Sequence, residues 1–373
     1  MEPGTVRIAV DLLGGDEAPA VVVDGALRAF GADPDLRLLL VGPVEVANEL
    51  IAALRPADRD RVAVRPVRDV VAMNGDPAAI VRSDNTIKAA VAAVVEGAAD
   101  AVVSAGATGG TVTAAVLGFG RWPGVRRPAL VATLPAVDGP VVLLDVGGSL
   151  EARAATLARH AVLGAAYAAV THGVTAPRVG LLSIGTEPGK GDRIRRAADP
   201  ALAEQALPAG ARYVGLVEGY DVAFGNRADV VVTDGFTGNV LLKGIEGAYA
   251  MAGGPPAGGG APRAATLLGV AGAVVVCHGA ARDDDVASGI ALAAHLHRRR
   301  TIPAVAALLA ESTVTGPVTG TGGGPVTGTG AGRVAGAEPG QDGGGAAGPV
   351  GGAEEGRGSG AGPGRVADTG VTA

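Results

Sequence analysis

Short apolar runs alternate with Ala-rich stretches of helical spacing through the first 312 residues of the chain. The apolar runs consist mostly of Val, Leu and Ile, and they end in Asp, Gly or Ser. Continuous apolar strands separated by helices indicate a parallel sheet with helices on both faces. The predicted strands are 6–10, 36–41, 61–67, 101–104, 130–134, 141–145, 178–184, 213–217, 230–233 and 273–277.

The helical stretches complete an α/β fold with three layers, α/β/α, around a mostly parallel sheet. No linker that would separate two independent domains precedes residue 300, so the sequence predicts one α/β domain over residues 1–312. The predicted helices are 19–30, 44–54, 87–96, 111–117, 150–170, 200–207, 240–250 and 284–298.

Residues 313–373 have a different composition, because they hold 22 of the 62 glycines and repeat GPVTGTG at 316–322 and 324–330. This segment has no aromatic residue and cannot bury enough apolar surface to offset its backbone entropy. The sequence therefore predicts a disordered Gly/Pro/Thr-rich tail. Such a tail is either a tether for a partner or a dispensable extension.

Composition and the apolar pattern exclude several classes of protein. The first apolar run already contains Asp11, and no run of about 18 apolar residues occurs, so neither a signal peptide nor a spanning helix is predicted. Cys277 is the single cysteine, which excludes a disulfide framework and a Cys-rich metal site. The net charge of −6 argues against a nucleic-acid partner. We expect a cytoplasmic protein that binds no metal.

Four glycine turns follow predicted strands and begin helices, at 11–16, 104–111, 145–149 and 234–239. Glycine lets the backbone approach an anion closely, and the free N–H groups of the following helix donate to it. Parallel strands place their carboxyl ends at one edge of a sheet, where ligands bind. We expect the four turns to meet at one edge and to favour an anionic ligand.

Nucleotide fingerprints are missing from these turns. No G-x-G-x-x-G follows the first strand, and the loop GTEPGKGD at 185–192 has one residue too few between its glycines for a phosphate-binding NTPase loop. Lys190 in that loop either holds a phosphate or oxyanion or is a solvated surface lysine. His278, after the last predicted strand, is either a site residue or part of a structural hydrogen bond.

The motifs, in this order, resemble the bacterial phosphate acyltransferases. The matching stretches include IAVDLLGGDEAP, ADAVVSAGATGG, VVLLDVGG, VGLLSIGTEPGKG, DGFTGNVLLK and LLGVAGAVVVCHG, and they span residues 7 to about 298. The resemblance implies a fold related to the isocitrate and isopropylmalate dehydrogenases and to the phosphate acetyltransferases. It also implies transfer of a fatty acyl group from acyl carrier protein to inorganic phosphate, which gives acyl phosphate for phospholipid synthesis.

The resemblance assigns catalytic roles to Lys190 and Asn239. Lys190 would hold the phosphate or oxyanion charge, and Asn239 would donate a hydrogen bond to the reacting carbonyl or phosphate. No cofactor is implied. The remaining residues implied to line the pocket are Asp11, Gly14, Gly15, Thr108, Gly109, Asp234, Thr237, Gly238 and His278.

The chain departs from the family pattern at Ala107, Ser83, Ser149 and Ala280, where polar or basic residues are usual. It also has only the short segment 247–266, with GGPPAGGGAP in its middle, where the family carries a helical hairpin. We therefore expect weakened peripheral membrane association and a homodimer with a reduced interface. The implied partners are acyl carrier protein, phosphate and a downstream glycerol-phosphate acyltransferase.

Two alternatives stay open at this point. One is a catalytically impaired relative that binds acyl carrier protein or regulates, and the other is acyl transfer between coenzyme A and phosphate. A dehydrogenase is disfavoured, because the sequence has neither a nucleotide fingerprint nor an Asp cluster with metal-ligand spacing.

Overall fold

A single large sheet organises the part of the chain that the computed structural model describes, residues 4–69, 83–256 and 264–314. The strands coincide with the apolar runs, because a strand covered on both faces needs apolar side chains throughout. Its strands are β1 (Val6–Asp11), β2 (Leu36–Gly42), β3 (Val62–Pro66), β4 (Ala101–Ser104), β5 (Ala129–Ala136), β6 (Gly139–Leu144), β7 (Arg178–Leu182), β8 (Arg212–Val217), β9 (Val230–Val232), β10 (Ala264–Leu268) and β11 (Val274–Cys277).

The helices cover both faces of this sheet and bury one apolar cluster on each face. One face is covered by α1, α2, α5, α6, α9 and α10, and the other by α3, α4, α7 and α8. The mixed α/β class, the large mostly parallel sheet and its three layers are as predicted. The helices are α1 (Ala20–Ala32), α2 (Val44–Ala53), α3 (Thr86–Val95), α4 (Thr108–Phe119), α5 (Ala154–His172), α6 (Arg193–Glu204), α7 (Gly219–Phe224), α8 (Gly235–Met251), α9 (Asp283–Arg298) and α10 (Thr301–Val314).

The strand order across the sheet is β3-β2-β1-β4-β11-β10-β5-β6-β9-β7-β8. The five strands from β3 to β11 are parallel to one another, and so are the four from β6 to β8. Between these groups, β10 is antiparallel to both β11 and β5, and β5 is antiparallel to β6. Three reversals separate the two groups, so the groups run in opposite directions.

This reversal corrects one expectation about the glycine turns. The turns after β1 and β4 lie at one edge of the sheet, whereas those after β6 and β9 lie at the opposite edge. The four turns therefore do not meet at one edge. The prediction was wrong because strand direction depends on pairing between distant segments, which the hydrophobic pattern does not encode.

Several element predictions also need correction. The predicted helix 200–207 is instead α6, which begins at Arg193 because Asp192 caps it by accepting a hydrogen bond from the N–H of Arg195. The strand β10 and the helices α7 and α10 were not predicted. Segment 247–266 includes the last turn of α8 and the first residues of β10, and its residues 257–263 lie outside the described part.

The predicted boundary at residue 312 falls inside α10, which ends at Val314. The predicted disordered tail, from residue 315 on, lies outside the described residues. Within the described ranges, no helix is long and apolar enough to cross a membrane.

Candidate active site

A narrow groove crosses the sheet face between α4 and α8, above the antiparallel strands β5 and β10. Three residues implied by the family resemblance meet here: Thr108 at the start of α4, Asn239 on α8 and His278 after β11. The full lining is Thr108, Leu130, Ala132, Val146, Asn239, Leu242, Glu246, Ala264, Ala265, Val276, Cys277 and His278. Polar side chains from three elements thus line one groove together with apolar residues.

Helix α8 supplies one wall of the groove through Asn239, Leu242 and Glu246, which share one face at i, i+3 and i+7 spacing. The helix begins where Asp234 caps it, with the carboxylate accepting a hydrogen bond of 2.9 Å from the N–H of Thr237. The amide Nδ2 of Asn239 donates to the carbonyl oxygen of Val146 at 3.0 Å. This bond fixes the Asn239 side chain at the end of the groove nearest β6.

Gly238 explains how closely α8 approaches the turn after β6. A Cβ at this position would lie 1.9 Å from the carbonyl oxygen of Asp145 and 2.9 Å from Cγ2 of Thr233. Only glycine fits such a contact, so the helix start and the turn are packed backbone against backbone. Gly238 therefore positions Asn239 rather than lining the groove itself.

His278 and Glu246 form a pair at the opposite end of the groove. Nε2 of His278 lies 3.2 Å from Oε1 of Glu246, and 30 % and 21 % of their side chains are exposed. Cys277 also lines the groove but is buried, and burial raises the pKa of its thiol to about 12. The thiol is therefore protonated and unreactive at neutral pH, as expected from the apolar run in which it occurs.

Asp11, Gly14 and Gly15 lie at the edge where β1 and β4 end. The buried Asp11 carboxylate accepts hydrogen bonds from Oγ of Ser104 at 2.7 Å and from the N–H of Leu13 at 3.2 Å. Burial is the largest effect on the Asp11 carboxyl group and raises its pKa, while these hydrogen bonds act in the opposite direction. A Cβ on Gly14 would lie 2.7 Å from the backbone nitrogen of Gly106. These residues hold the two turns together around a cavity of about 10 Å³.

At the opposite edge, Asp145 organises the turn after β6. Its buried carboxylate accepts hydrogen bonds from the N–H groups of Leu130, Gly147 and Gly148 and from the hydroxyl of Ser149, at 2.7–3.1 Å. The sequence places Asp145 in a glycine turn but does not mark it as a residue of the site. Its contribution is to position Val146, the acceptor for Asn239.

A wider cleft of about 900 Å³ lies at this second edge, on the other side of the first turn of α8. Asp234 and Thr237 line the cleft rather than the groove.

The side chain of Lys190 is exposed on the loop that leads to α6, and it makes no ion pair with any residue in the described part of the chain. Gly109 is exposed on α4. The residues implied by the resemblance are thus distributed between the groove and both edges of the sheet.

Arg195 is the main residue of the cleft that the sequence did not reveal. Its buried guanidinium donates to Asp234 Oδ2 at 2.5 Å, to Thr233 Oγ1 at 2.9 Å and to the carbonyl oxygen of Leu182 at 3.0 Å, and it pairs with Asp192. Burial alone would raise the pKa of Asp234, but hydrogen bonds from Thr237 and Arg195 hold it below its usual value. The pattern RIRR at the start of an amphipathic helix was the available signal.

The positions that depart from the family pattern have defined surroundings here. Ala107 precedes α4 without a side-chain cap, and Ser149 donates to Asp145 at 2.8 Å. The carbonyl oxygen of Ser83 accepts from Lys88 Nζ at 3.3 Å, and Ala280 is exposed. Ser149 therefore has a structural partner in this chain.

Over the described ranges, no three His, Cys, Asp or Glu side chains cluster as metal ligands would.

Comparison with solved structures identifies related folds. A phosphotransacetylase from Streptococcus pyogenes matches with a TM-score of 0.55 at 19 % identity, covering 80 % of this chain and 94 % of that chain. The EutD phosphotransacetylase from Staphylococcus aureus matches with a TM-score of 0.52, also at 19 % identity, over 81 % and 95 %. At this identity the likeness concerns the fold.

Comparison with known sequences gives closer relatives. A family model described as "Fatty acid synthesis protein" matches residues 6–254. A phosphate acyltransferase from Desulfitobacterium hafniense is 44 % identical over 245 residues, which cover 65 % of this chain and 71 % of the relative. Another, from Thermobifida fusca, is 40 % identical over 316 residues, covering 78 % and 87 %. The family match includes both Lys190 and Asn239, and the chain belongs to the phosphate acyltransferase family of transferases.

Proposed function

We propose that this chain transfers a fatty acyl group from the thioester of acyl carrier protein to inorganic phosphate, which gives an acyl phosphate. The observation that carries the proposal is the groove that Thr108, Asn239 and His278 line together, beside Glu246 and a set of apolar residues. Family membership supports acyl transfer to phosphate, and the carrier protein as donor is our finer proposal. A fold related to the isocitrate and isopropylmalate dehydrogenases is part of the same proposal.

Phosphate itself is the nucleophile in this reaction, so the site needs no covalent protein nucleophile. It needs a positive charge for the phosphate and donors for the oxyanion that forms at the thioester carbonyl. We assign the charge to Lys190, whose exposed side chain lies on the loop between β7 and α6. We assign the oxyanion hydrogen bond to Asn239, which Val146 orients at the end of the groove.

The size of the groove limits what it holds. Its volume of about 30 Å³ accommodates a few atoms but not a fatty acyl chain. We propose that the groove takes the reacting carbonyl and that the acyl chain extends out of it.

Partners follow from this chemistry as further proposals. The product acyl phosphate suits a downstream glycerol-phosphate acyltransferase that takes the acyl group from it. Self-association through a reduced homodimer interface is a second proposal, since the connection between α8 and β10 spans only residues 252–263. Sedimentation analysis of the full chain tests this second proposal directly.

The direct test is a trapping assay. The protein is incubated with acyl carrier protein charged with a fatty acyl group, with and without phosphate, and acyl phosphate is trapped as hydroxamate. Phosphate-dependent hydroxamate supports the proposal. Carrier binding without turnover indicates an impaired relative, and turnover with acyl-coenzyme A alone indicates the coenzyme A reaction.

Lys190→Ala tests the assigned charge. Loss of one oxyanion or phosphate donor lowers turnover by about 10²-fold or more. Lys243→Ala is the matched control, because Lys243 is also exposed and lies on α8 without lining the groove. Activity of Lys190→Ala within a few-fold of the wild type would show that Lys190 does not have this role.

A further inference from the structure

The pair formed by His278 and Glu246 has a defined direction. Nε2 of His278 lies 3.2 Å from Oε1 of Glu246. A carboxylate only accepts hydrogen bonds, so we assign the proton to the facing Nε2, which then donates to Oε1. The other ring nitrogen, Nδ1, then keeps its lone pair and can accept a proton. Both side chains line the same groove as Asn239.

We propose that His278 carries the proton that acyl transfer moves from phosphate to the leaving thiol, and that Glu246 is a positioning residue that holds its ring for this step. This inference rests on the proposed function. It adds a proton carrier, which Lys190 and Asn239 do not supply, since both act as donors to negative charge in that proposal. The arrangement is a base oriented by a third group, as in hydrolytic triads, without their nucleophile.

The reaction moves one proton, and a group such as His278 can carry it. An oxygen of HPO₄²⁻ forms a bond to the thioester carbon, and the C–S bond breaks with its electron pair remaining on sulfur. Nδ1 of His278 accepts the proton of the attacking hydrogenphosphate and then donates it to the thiolate. The products are the acyl phosphate dianion and the neutral thiol, and the ring returns to its starting form.

Few groups in the groove could take this role. The titratable residues that line it are Glu246, Cys277 and His278. Cys277 is buried and faces α9, where its Sγ lies 3.8 Å from the carbonyl oxygen of Asp285. Glu246 is engaged with the ring. Histidine is also the side chain that ordinarily exchanges a proton near neutral pH.

Three variants test the proposal in the trapping assay, with kcat and KM measured for both substrates. His278→Gln is expected to lower kcat by about 10²-fold or more with KM changed by less than about threefold, as loss of general acid–base catalysis does. Glu246→Gln is expected to lower kcat by roughly tenfold or more, and Glu246→Asp to recover part of the loss. His297→Gln is the matched control, since His297 lies 3.8 Å from Asp100 in a separate cleft.

Rescue by the conservative variant provides a readout that a merely structural role would not give. Glu246→Asp keeps a carboxylate that can accept from the ring, whereas Glu246→Gln removes it. Equal losses of kcat in Glu246→Asp and Glu246→Gln would overturn the positioning role.

A spectroscopic measurement keeps the proposal testable even if a variant folds poorly. Long-range ¹H–¹⁵N spectra of the wild-type protein are expected to show the Nε2–H form of His278. The Nδ1–H form would overturn the inference, and so would His278→Gln turnover within about threefold of wild type. Absence of phosphate-dependent turnover in the wild type would instead refute the proposed function itself.

Discussion

Arg195 is expected to be among the most important side chains for stability, although it touches the groove only through other residues. Replacing it with Met keeps most of the side-chain volume but removes the buried charge. The carboxylate of Asp234 would lose its ion pair, and the carbonyl oxygen of Leu182 and the hydroxyl of Thr233 would lose their donor. Side-chain exposure of 10 % for Arg195 and 13 % for Asp234 leaves little water to compensate.

The expected cost follows from this burial. Removing one partner of a buried ion pair costs about 3–5 kcal/mol, because the other charge is left without compensation. Asp234 keeps its two hydrogen bonds from Thr237, so we expect the lower end, about 3 kcal/mol. Such a loss lowers the melting temperature by about 4–5 °C, because the entropy of unfolding grows with chain length and each kcal/mol shifts the melting temperature less in a larger protein.

Urea unfolding followed by circular dichroism measures the change. Arg196→Met is the matched control, since Arg196 is the next residue, is exposed and donates to the carbonyl oxygen of Gly191. The control is expected to change stability by less than about 0.5 kcal/mol. Adding Asp234→Asn to Arg195→Met removes the stranded charge and is expected to recover about 1 kcal/mol.

The pH dependence of the same measurement has a definite sign. The pKa of Asp234 in the folded protein is below its usual value, so its contribution to stability is present above about pH 4 and is lost as pH falls further. The stability difference between wild type and Arg195→Met should therefore shrink below about pH 4. A difference under about 1 kcal/mol at pH 7, as for a surface pair, would refute the reasoning.

Two further predictions concern packing and thiol chemistry. Gly238→Ala places a Cβ 1.9 Å from the carbonyl oxygen of Asp145 and is expected to lower the free energy of unfolding in urea by about 3 kcal/mol or more. The control Gly244→Ala lies on the same helix, where a Cβ meets nothing within 4 Å, and should raise that free energy by roughly 0.5–1 kcal/mol. Equal effects of the two substitutions would contradict this account. Cys277, the single cysteine, has a pKa raised to about 12 by burial, so iodoacetamide at pH 8 should modify the folded chain far more slowly than the urea-unfolded chain, as followed by mass spectrometry. Similar rates in both states would show that the thiol is accessible.

The local pattern of apolar residues was sufficient to predict most of the individual strands and helices. The strand at Val6–Asp11 is buried along nearly its whole length, and continuous apolar runs of this kind identify a doubly covered strand. The start of α8 was predicted at residue 240, five residues late, because residues 235–239 contain two glycines, whereas the cap Asp234 starts the helix at Gly235. The predicted helix at 200–207 was wrong because Pro200, a common first residue of helices, lies inside α6.

Pairing between distant segments could not be predicted from those patterns. Strand β10, Ala264–Leu268, is short and follows a Gly/Pro-rich segment, and its antiparallel pairing with β5 places Thr266 beside Val131, far from it in the chain. The role of Arg195 likewise depends on partners about 40 residues away. The sequence indicated several of the residues that line the groove, namely Thr108, Asn239 and His278. It did not indicate that the groove lies on the face of the sheet.

The order in which the strands are made has a consequence for how the site forms. The last two strands in the described part of the chain, β10 and β11, occupy the middle of the sheet, between β4 and β5. Until the ribosome has released residues 264–277, the earlier strands can assemble only as two separate sheets with exposed edges. Thr108 and Asn239 lie on different sides of that gap. The groove is therefore completed late in folding, by contacts of high sequence separation that form slowly.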